Sequence, residues 1–273
     1  MISGIVFTLD EEVNLPHCLE SLKPCDDVVV VDSFSSDQTC KIAQDFGARV
    51  FQHPFTGFGD QRMWALGNVA FRHSWVLILD ADERVTAALW SEMIQRVTSC
   101  SDDTVAFRLK RRFHWNGVWL RRANLYPTWV VRLVRPGKVT FVNRGHAETQ
   151  HVQGRMESLG EDLIDENHKG LVAWRERQRH YAEQEAHHEI TLKNSLRIPD
   201  LWSTDPLVRR TAWKFIGSRL SSRGMCYFIY SYVFRSGWLD GVAGLRFCLE
   251  KARFQAHIQK TSRQLRTEMK SGC

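Results

Sequence analysis

Two stretches constrain this chain more than any others. Asp27–Val31 reads D-V-V-V-V and Trp75–Leu79 reads W-V-L-I-L. Neither alternates apolar with polar, so each predicts a strand buried on both faces. Between and around them the pattern alternates. Ile2–Phe7 predicts a first strand. Val13–Leu22 then sets Leu15, Cys18, Leu19 and Leu22 at helical spacing, with Pro16 in the first turn. A helix capped by Ser35 or Ser36 is expected to run to Phe46 and close at Gly47. Arg49–Gln52 predicts a strand, Asp60–Phe71 a helix, and Thr86 the cap of another helix through Val97. This β-α-β-α-β-α-β order predicts an α/β fold with an open, mostly parallel, doubly wound sheet.

Right-handed crossovers bring the carboxyl ends of all these strands to one rim, where such sheets bind ligands. Thr8 and Glu11 follow the first strand, Asp32 and Ser33 the second, and Asp80, Asp82 and Glu83 the fourth. Turn preference explains any one of these residues. It does not explain acids gathered at one rim from three separate strands. In Asp80-Ala81-Asp82, carboxylates two apart in an extended segment point the same way. They suit Mg²⁺ or Mn²⁺, which take oxygen ligands and share them with substrate phosphates. No G-x-G-x-x-G follows the first strand, and no G-x-x-x-x-G-K-[ST] occurs. A dinucleotide fingerprint and a P-loop are thereby excluded. Phosphate neutralisation falls to the metal and to a basic side chain, for which Gln61-Arg62 opens the helix after the third strand.

Charge divides the chain. Residues 206–273 hold 13 Lys/Arg against 3 Asp/Glu, whereas residues 1–205 hold 24 against 28. A basic tail on an acidic-to-neutral body points to an anionic surface. Within it, Met225–Phe234 is aromatic and flanked by Arg223 and Arg235. Ten residues cannot span a bilayer, but they suit its interface, with Tyr227, Phe228 and Tyr230 inserted. A packed core helix is the alternative. No run reaches the ~18 apolar residues of a span, and the first residues turn acidic where a secretory signal would be basic. Seven cysteines without a C-x-x-C pair fit a reducing cytoplasm.

The ordered set F-T-L-D-E-E-V-N-L, V-V-V-D-S-F-S-S-D-Q-T, G-F-G-D-Q-R-M-W-A-L, L-I-L-D-A-D-E-R-V, Y-P-T-W-V-V-R-L-V-R and R-G-H-A-E resembles family 2 glycosyltransferases of the GT-A fold. The resemblance is to the branch of lipooligosaccharide and lipopolysaccharide core β-1,4-glucosyltransferases, and H-K-G-L-x-x-W and S-G-W-L-D-G-x-A-G extend it downstream. It implies that Thr8 and Glu11 lie along the nucleoside and that Asp32 reads the base, commonly uracil, beside Ser33. It implies that Asp80 and Asp82 serve metal and diphosphate, and that Gln61 and Arg62 lie near the diphosphate. Two positions depart from the branch: Met63 where Asn is frequent, and Phe34 where Gly is common.

The expected activity is inverting, metal-dependent transfer of a sugar from a nucleotide sugar, UDP-linked, to a glycan or lipid-linked acceptor in bacterial cell-surface polysaccharide synthesis. Such transfer needs a carboxylate to take the acceptor's proton. Glu148 in G-H-A-E is the first candidate and Asp162 in G-E-D the second. His168 is a candidate third metal ligand, and His146 could line the site. Trp174–Ile190 predicts a charged amphipathic helix on which His187 and His188 are solvated. The organisation expected is a catalytic domain over 1–205, with a nucleotide-sugar half to about residue 100 and an acceptor half after it, then a basic amphipathic helical tail over 206–273. The tail places the enzyme in the cytoplasm, peripheral on the inner face of the membrane. Two other readings stay open. One is a Mg-dependent phosphohydrolase built on the D-x-D motif. The other is a non-catalytic membrane or nucleic-acid binding protein, though an acidic rim repels nucleic acid, so no nucleic-acid partner is expected.

Overall fold

The computed structural model describes residues 1–144, 147–192 and 222–271. The chain forms two compact units, Met1–Gly170 and Leu171–Cys273. The helix after Gly170 therefore stands with the C-terminal helices. Residues 205 and 206, where the sequence reading set its boundary, lie outside the described residues, as does His146.

The first unit opens with β1 (Ile2–Thr8), α1 (Leu15–Ser21), β2 (Val28–Asp32), α2 (Thr39–Phe46), β3 (Arg49–Gln52), α3 (Phe58–Asn68) and β4 (Trp75–Asp80). After these come β5 (Glu83–Val85), α4 (Ala87–Ser99), β6 (Thr104–Trp115), β7 (Val118–Trp119), β8 (Thr128–Val134), β9 (Val139–Arg144), β10 (Ala147–Val152) and β11 (Arg155–Glu166). The main sheet runs β3-β2-β1-β4-β8-β6-β11-β5, with β7 on β6. Its β3-β2-β1-β4 half is parallel, as the strand–helix alternation demands. At β8 it turns antiparallel, and β9 and β10 form a separate hairpin.

The double burial predicted for the apolar runs is observed. Val6, Val28, Val30, Leu77 and Leu79 enter one core, whereas Ile5, Val29, Val31, Val76 and Ile78 enter another. Alternate residues of the same three strands thus feed opposite faces. Gly47 closes α2 in the left-handed conformation, and Thr86 Oγ1 accepts from Leu89 N at 3.1 Å to cap α4.

The serine pair differs from expectation. α2 begins at Thr39, and neither Ser35 nor Ser36 caps it. Ser36 N donates to Asp10 Oδ1 at 2.7 Å, and Ser35 N to Asp32 Oδ2 at 2.8 Å. With Asp10 N donating to Ser35 Oγ at 2.8 Å, these serines tie together the loops that leave β1 and β2.

The second unit contains α5 (Gly170–Leu192), α6 (Arg223–Ile229) continuing as a π-helical turn (Tyr230–Phe234), a 3₁₀ turn (Gly237–Asp240) and α7 (Gly241–Ser271). Among the described residues, no helix is long and apolar enough to cross a membrane.

Candidate active site

The loops after β1, β2 and β4 bring most of the expected residues to one rim. Thr8 Oγ1 donates to Asp32 Oδ1 at 2.8 Å, and Ser33 N donates to Thr8 O at 2.9 Å. Asp32 is fully buried. Burial would raise its carboxyl, but the hydrogen bonds from Ser35 and Thr8 hold it below the ordinary carboxylate range. Gln61 Nε2 donates to Ser33 Oγ at 2.6 Å, joining α3 to this group. Glu11 accepts from Lys169 Nζ at 2.6 Å and from Asn14 Nδ2 at 2.7 Å.

A second group surrounds Asp80. Arg62 Nη2 donates to Asp80 Oδ1 at 2.7 Å, and Arg132 Nη2 donates to Asp80 Oδ2 at 2.6 Å. Arg132 also reaches Glu83 Oε1 at 2.8 Å, and Arg62 Nη1 donates to Glu148. Burial would raise the Asp80 carboxyl, but Arg132, Arg62 and Arg111 hold it at about 2. Arg62 is only 3% exposed and lies over the rings of Phe7, Phe58 and Phe141, with its Cζ 5.6, 5.9 and 5.9 Å from their centroids. It is a fixed cation rather than a solvated helix arginine.

Gly59 makes that placement possible. A Cβ there would meet the backbone of Val142 and Asn143 at 2.9 Å, so only glycine lets the start of α3 approach the β9–β10 hairpin. Gly59 N donates to Asn143 Oδ1 at 2.7 Å, and Asn143 pairs in register with Glu148. The G-F-G sequence thereby sets Arg62 against Glu148.

Of the remaining expected residues, Asp162 stands apart from this group, whereas Asp82 and His168 lie near it with other partners. Asp162 accepts from Arg112 Nη2 at 2.7 Å and Tyr126 Oη at 2.8 Å. Strand alternation puts it with Arg112 on one face of β11 and Asp165 with Arg111 on the other. Asp82 accepts from Asn167 Nδ2 at 2.9 Å. The His168 ring lies 4.8 Å from that of His17, with Nε2 3.8 Å from Glu166. The expected trio of Asp80, Asp82 and His168 is not assembled. Among the described residues, no three His, Cys, Asp or Glu are grouped to hold a metal. The chain reverses in the turn after Asp80 instead of continuing straight, and both Asp80 oxygens are taken by arginines.

The sequence model of glycosyl transferase family 2 matches residues 3–160, more than half of the chain. The chain belongs to that family. A similar relative is the lipopolysaccharide core biosynthesis glycosyltransferase LpsC of Rhizobium meliloti (strain 1021), 32% identical over 142 residues, 50% of this chain and 52% of that protein. An uncharacterized glycosyltransferase of Rickettsia typhi, RT0209, is 29% identical over 150 residues, 54% of this chain and 51% of the relative. The chain thus spans about half the length of these curated relatives. Among solved structures, the mannosyltransferase PcManGT of Pyrobaculum calidifontis in complex with GDP-Man and Mn²⁺ aligns with a TM-score of 0.49 at 14% identity, covering 96% of this chain and 85% of that one.

In this family 2 chain Phe34 has no structural explanation, whereas Met63 is explained by packing. Phe34 adopts φ +61°, the region that favours glycine, and its ring is exposed. Met63 is half-buried and packs against the core, where its sulfur accepts from Phe141 N at 3.2 Å. Position 63 therefore serves packing.

Sequence reasoning assigned no role to Arg132, Arg111 or Asp165. Arg132 is 3% exposed, and the carboxylates of Asp80 and Glu83 outweigh the effect of burial to raise its pKa. Its signal was available: a lone arginine inside W-V-V-R-L-V, a strand otherwise too apolar to leave a charge unpaired.

Asp165 is pushed up to about 7, first by burial, with Arg111 opposing and Asp82, Glu83 and Asp80 adding to the rise. Its carboxylate neighbours form a field that a divalent cation would relieve. The oxygen donor set suits Mg²⁺ or Mn²⁺ held by few protein ligands and by substrate phosphates. Among the described residues these carboxylates are not grouped to hold the ion by themselves.

The raised Asp165 also fixes a pH dependence. Its native pKa lies above the unfolded value, so the folded state binds the proton preferentially. The stability Asp165 contributes is fully present below about 3.8 and is lost as pH rises through about 7. The gap from 3.8 to about 7 corresponds to at most about 4 kcal/mol. Asp165→Asn removes this ionisation. Its Tm relative to wild type is expected to rise between pH 4 and pH 8. A Tm difference that does not change with pH contradicts this assignment.

Proposed function

We propose that the chain transfers a sugar, with inversion, from a UDP-linked donor to a glycan or lipid-linked acceptor in the synthesis of a bacterial cell-surface polysaccharide. The observation that carries this reading is the continuity of the rim. Thr8, Asp32, Ser33 and Gln61 form one hydrogen-bonded group, and the next residue of α3, Arg62, links Asp80 to Glu148. A nucleoside diphosphate spans such a site, with its base toward Asp32 and its phosphates toward Arg62. The lipopolysaccharide role of the LpsC relative supports the acceptor class. The basic balance of the C-terminal residues supports work in the cytoplasm on the inner face of the membrane.

In this reading Asp82, with Asp80 once the diphosphate draws on its arginines, would hold Mg²⁺ or Mn²⁺, and the ion would supply charge stabilisation to the departing diphosphate. Arg62 supports the same charge from a site shielded by three aromatic rings. Glu148 takes the proton of the acceptor hydroxyl. It is preferred to Asp162 because it shares Arg62 with Asp80, whereas Asp162 lies on the face of β11 away from Asp165 and Arg111.

Titration calorimetry tests the donor half of this proposal. UDP with Mn²⁺ is expected to bind more tightly than ADP with Mn²⁺. Losing a buried hydrogen-bond partner costs ~1–3 kcal/mol, so Asp32→Ala should weaken UDP about ten-fold or more. Asp82→Asn should remove the Mn²⁺ dependence. Equal affinity for UDP and ADP, or full Mn²⁺-dependent affinity in Asp82→Asn, overturns these roles.

A further inference from the structure

Where α6, the two turns and the start of α7 meet, small residues lie inside and several large apolar residues outside, although Phe247 and Ile258 of α7 are buried. A Cβ on Gly224 would meet Ala252 O at 2.7 Å and the Ala256 Cβ at 3.1 Å. One on Gly237 would meet Ser231 O at 2.7 Å and Cys248 Sγ at 3.0 Å. Ser231 is buried and donates through Oγ to Tyr227 O at 2.8 Å. α6, the two turns and α7 therefore close on one another through glycine, serine, alanine and cysteine. Phe234 is 78% exposed, Val242 67% and Met225 62%, and Tyr230, Val233 and Trp238 are exposed with them. Tyr227 and Phe228, expected to insert, are half-buried.

A water-soluble helical pair buries its large apolar side chains. Close packing through small residues, with large ones facing outward, is the arrangement of helices surrounded by lipid. The α6 helix and its π-helical turn are too short to cross a bilayer. Tyr230 and Trp238 each combine an apolar ring with a polar group, the chemistry of the headgroup boundary. Residues 222–271 carry nine Lys/Arg against three Asp/Glu, with Arg246 exposed beside the apolar group. A second copy of the chain would bring like charges together, whereas anionic headgroups complement them.

We infer that Met225, Tyr230, Val233, Phe234, Trp238 and Val242 form an interfacial docking face that inserts into the headgroup layer of an anionic phospholipid bilayer. This deepens the membrane part of the proposed function by naming the residues that enter the lipid.

The experiment uses the full chain and sedimentation with two kinds of vesicle. One is pure phosphatidylcholine and the other contains phosphatidylglycerol. Wild type is expected to sediment with the anionic vesicles and less with the neutral ones. Phe234→Ser combined with Val242→Ser should weaken that binding at least about ten-fold, since two exposed apolar side chains lose their burial in the bilayer. Val172→Ser, an equally exposed apolar position on α5, should bind as wild type does. UDP binding should be the same in all three proteins. The inference is overturned by wild-type binding in the double variant or by no binding of wild type to either vesicle. It is also overturned by a wild-type dimer that the double variant converts to monomer. If UDP does not bind but the double variant still loses vesicle binding, the nucleotide-sugar reading fails and the docking face stands.

Discussion

Arg132→Met is expected to destabilise the first unit by about 3–5 kcal/mol, the cost of leaving buried carboxylates without their cation. Arg132 lies in β8 and holds one oxygen of Asp80 and one of Glu83, with Glu148 at 3.9 Å. Glu83 is itself almost fully buried. Burial is the largest cause of its raised pKa, Arg132 opposes it, and Asp80 adds to it. Methionine fills much of the volume but provides no charge. Glu83 would take up a proton, and Asp80 would keep Arg62 with Arg111 as the more distant cation. Arg132→Lys keeps a cation but cannot reach both carboxylates in the same planar fork, so it should recover only part of the loss. Denaturant unfolding of the three proteins at pH 7 measures this. A loss below about 1 kcal/mol in Arg132→Met would mean that the cluster is hydrated enough to do without its arginine.

The parts that were legible in the sequence share a physical property: they are local. Continuous apolar runs specify doubly buried strands, Gly47 ends a helix in the left-handed region, and Thr86 caps one. The rim followed because parallel strands put their ends together, and Thr8, Asp32, Ser33 and Gln61 meet as that topology requires. What was not legible depends on pairings between distant strands. Asp80 and Asp82 are two apart in sequence, and alternation would align them in a straight strand. The turn between β4 and β5 separates them instead, and nothing in D-A-D-E announces that turn. Arg132 and Asp80 are joined because β8 packs antiparallel against β4, a pairing no local pattern encodes. Asp165 is raised first by its burial and then by Asp82 and by Glu83, which lies beside it because β11 pairs with β5, far away in the chain. In the second unit the sequence showed an aromatic stretch, but not which of its side chains would face outward. Glycine contacts with α7 decided that, turning Phe234 outward and leaving Tyr227 and Phe228 half-buried.

Glu148→Gln should lower turnover about 10²–10⁴-fold while changing donor affinity little. Glutamine keeps the size of the side chain and can still accept a hydrogen bond from Arg62, so the hairpin and α3 should keep their places. It cannot take a proton from the acceptor. In this structure the Glu148 carboxylate is held by Arg62, the same side chain that holds Asp80. Under the proposed mechanism a donor diphosphate would draw on that arginine too and leave the Glu148 carboxylate to the acceptor hydroxyl. Asp162 has no such link, since its partners are Arg112, Tyr126 and Lys110. Asp162→Asn should therefore alter stability through the loss of those pairs and leave most of the turnover of the folded enzyme. Steady-state kinetics with saturating donor, alongside calorimetric UDP affinity, separate the cases. An active Glu148→Gln with a folded but inactive Asp162→Asn moves the base to Asp162. Full activity in both variants would require the acceptor's proton to leave by another group, and Arg62 would then link Asp80 to Glu148 only to hold the hairpin against α3.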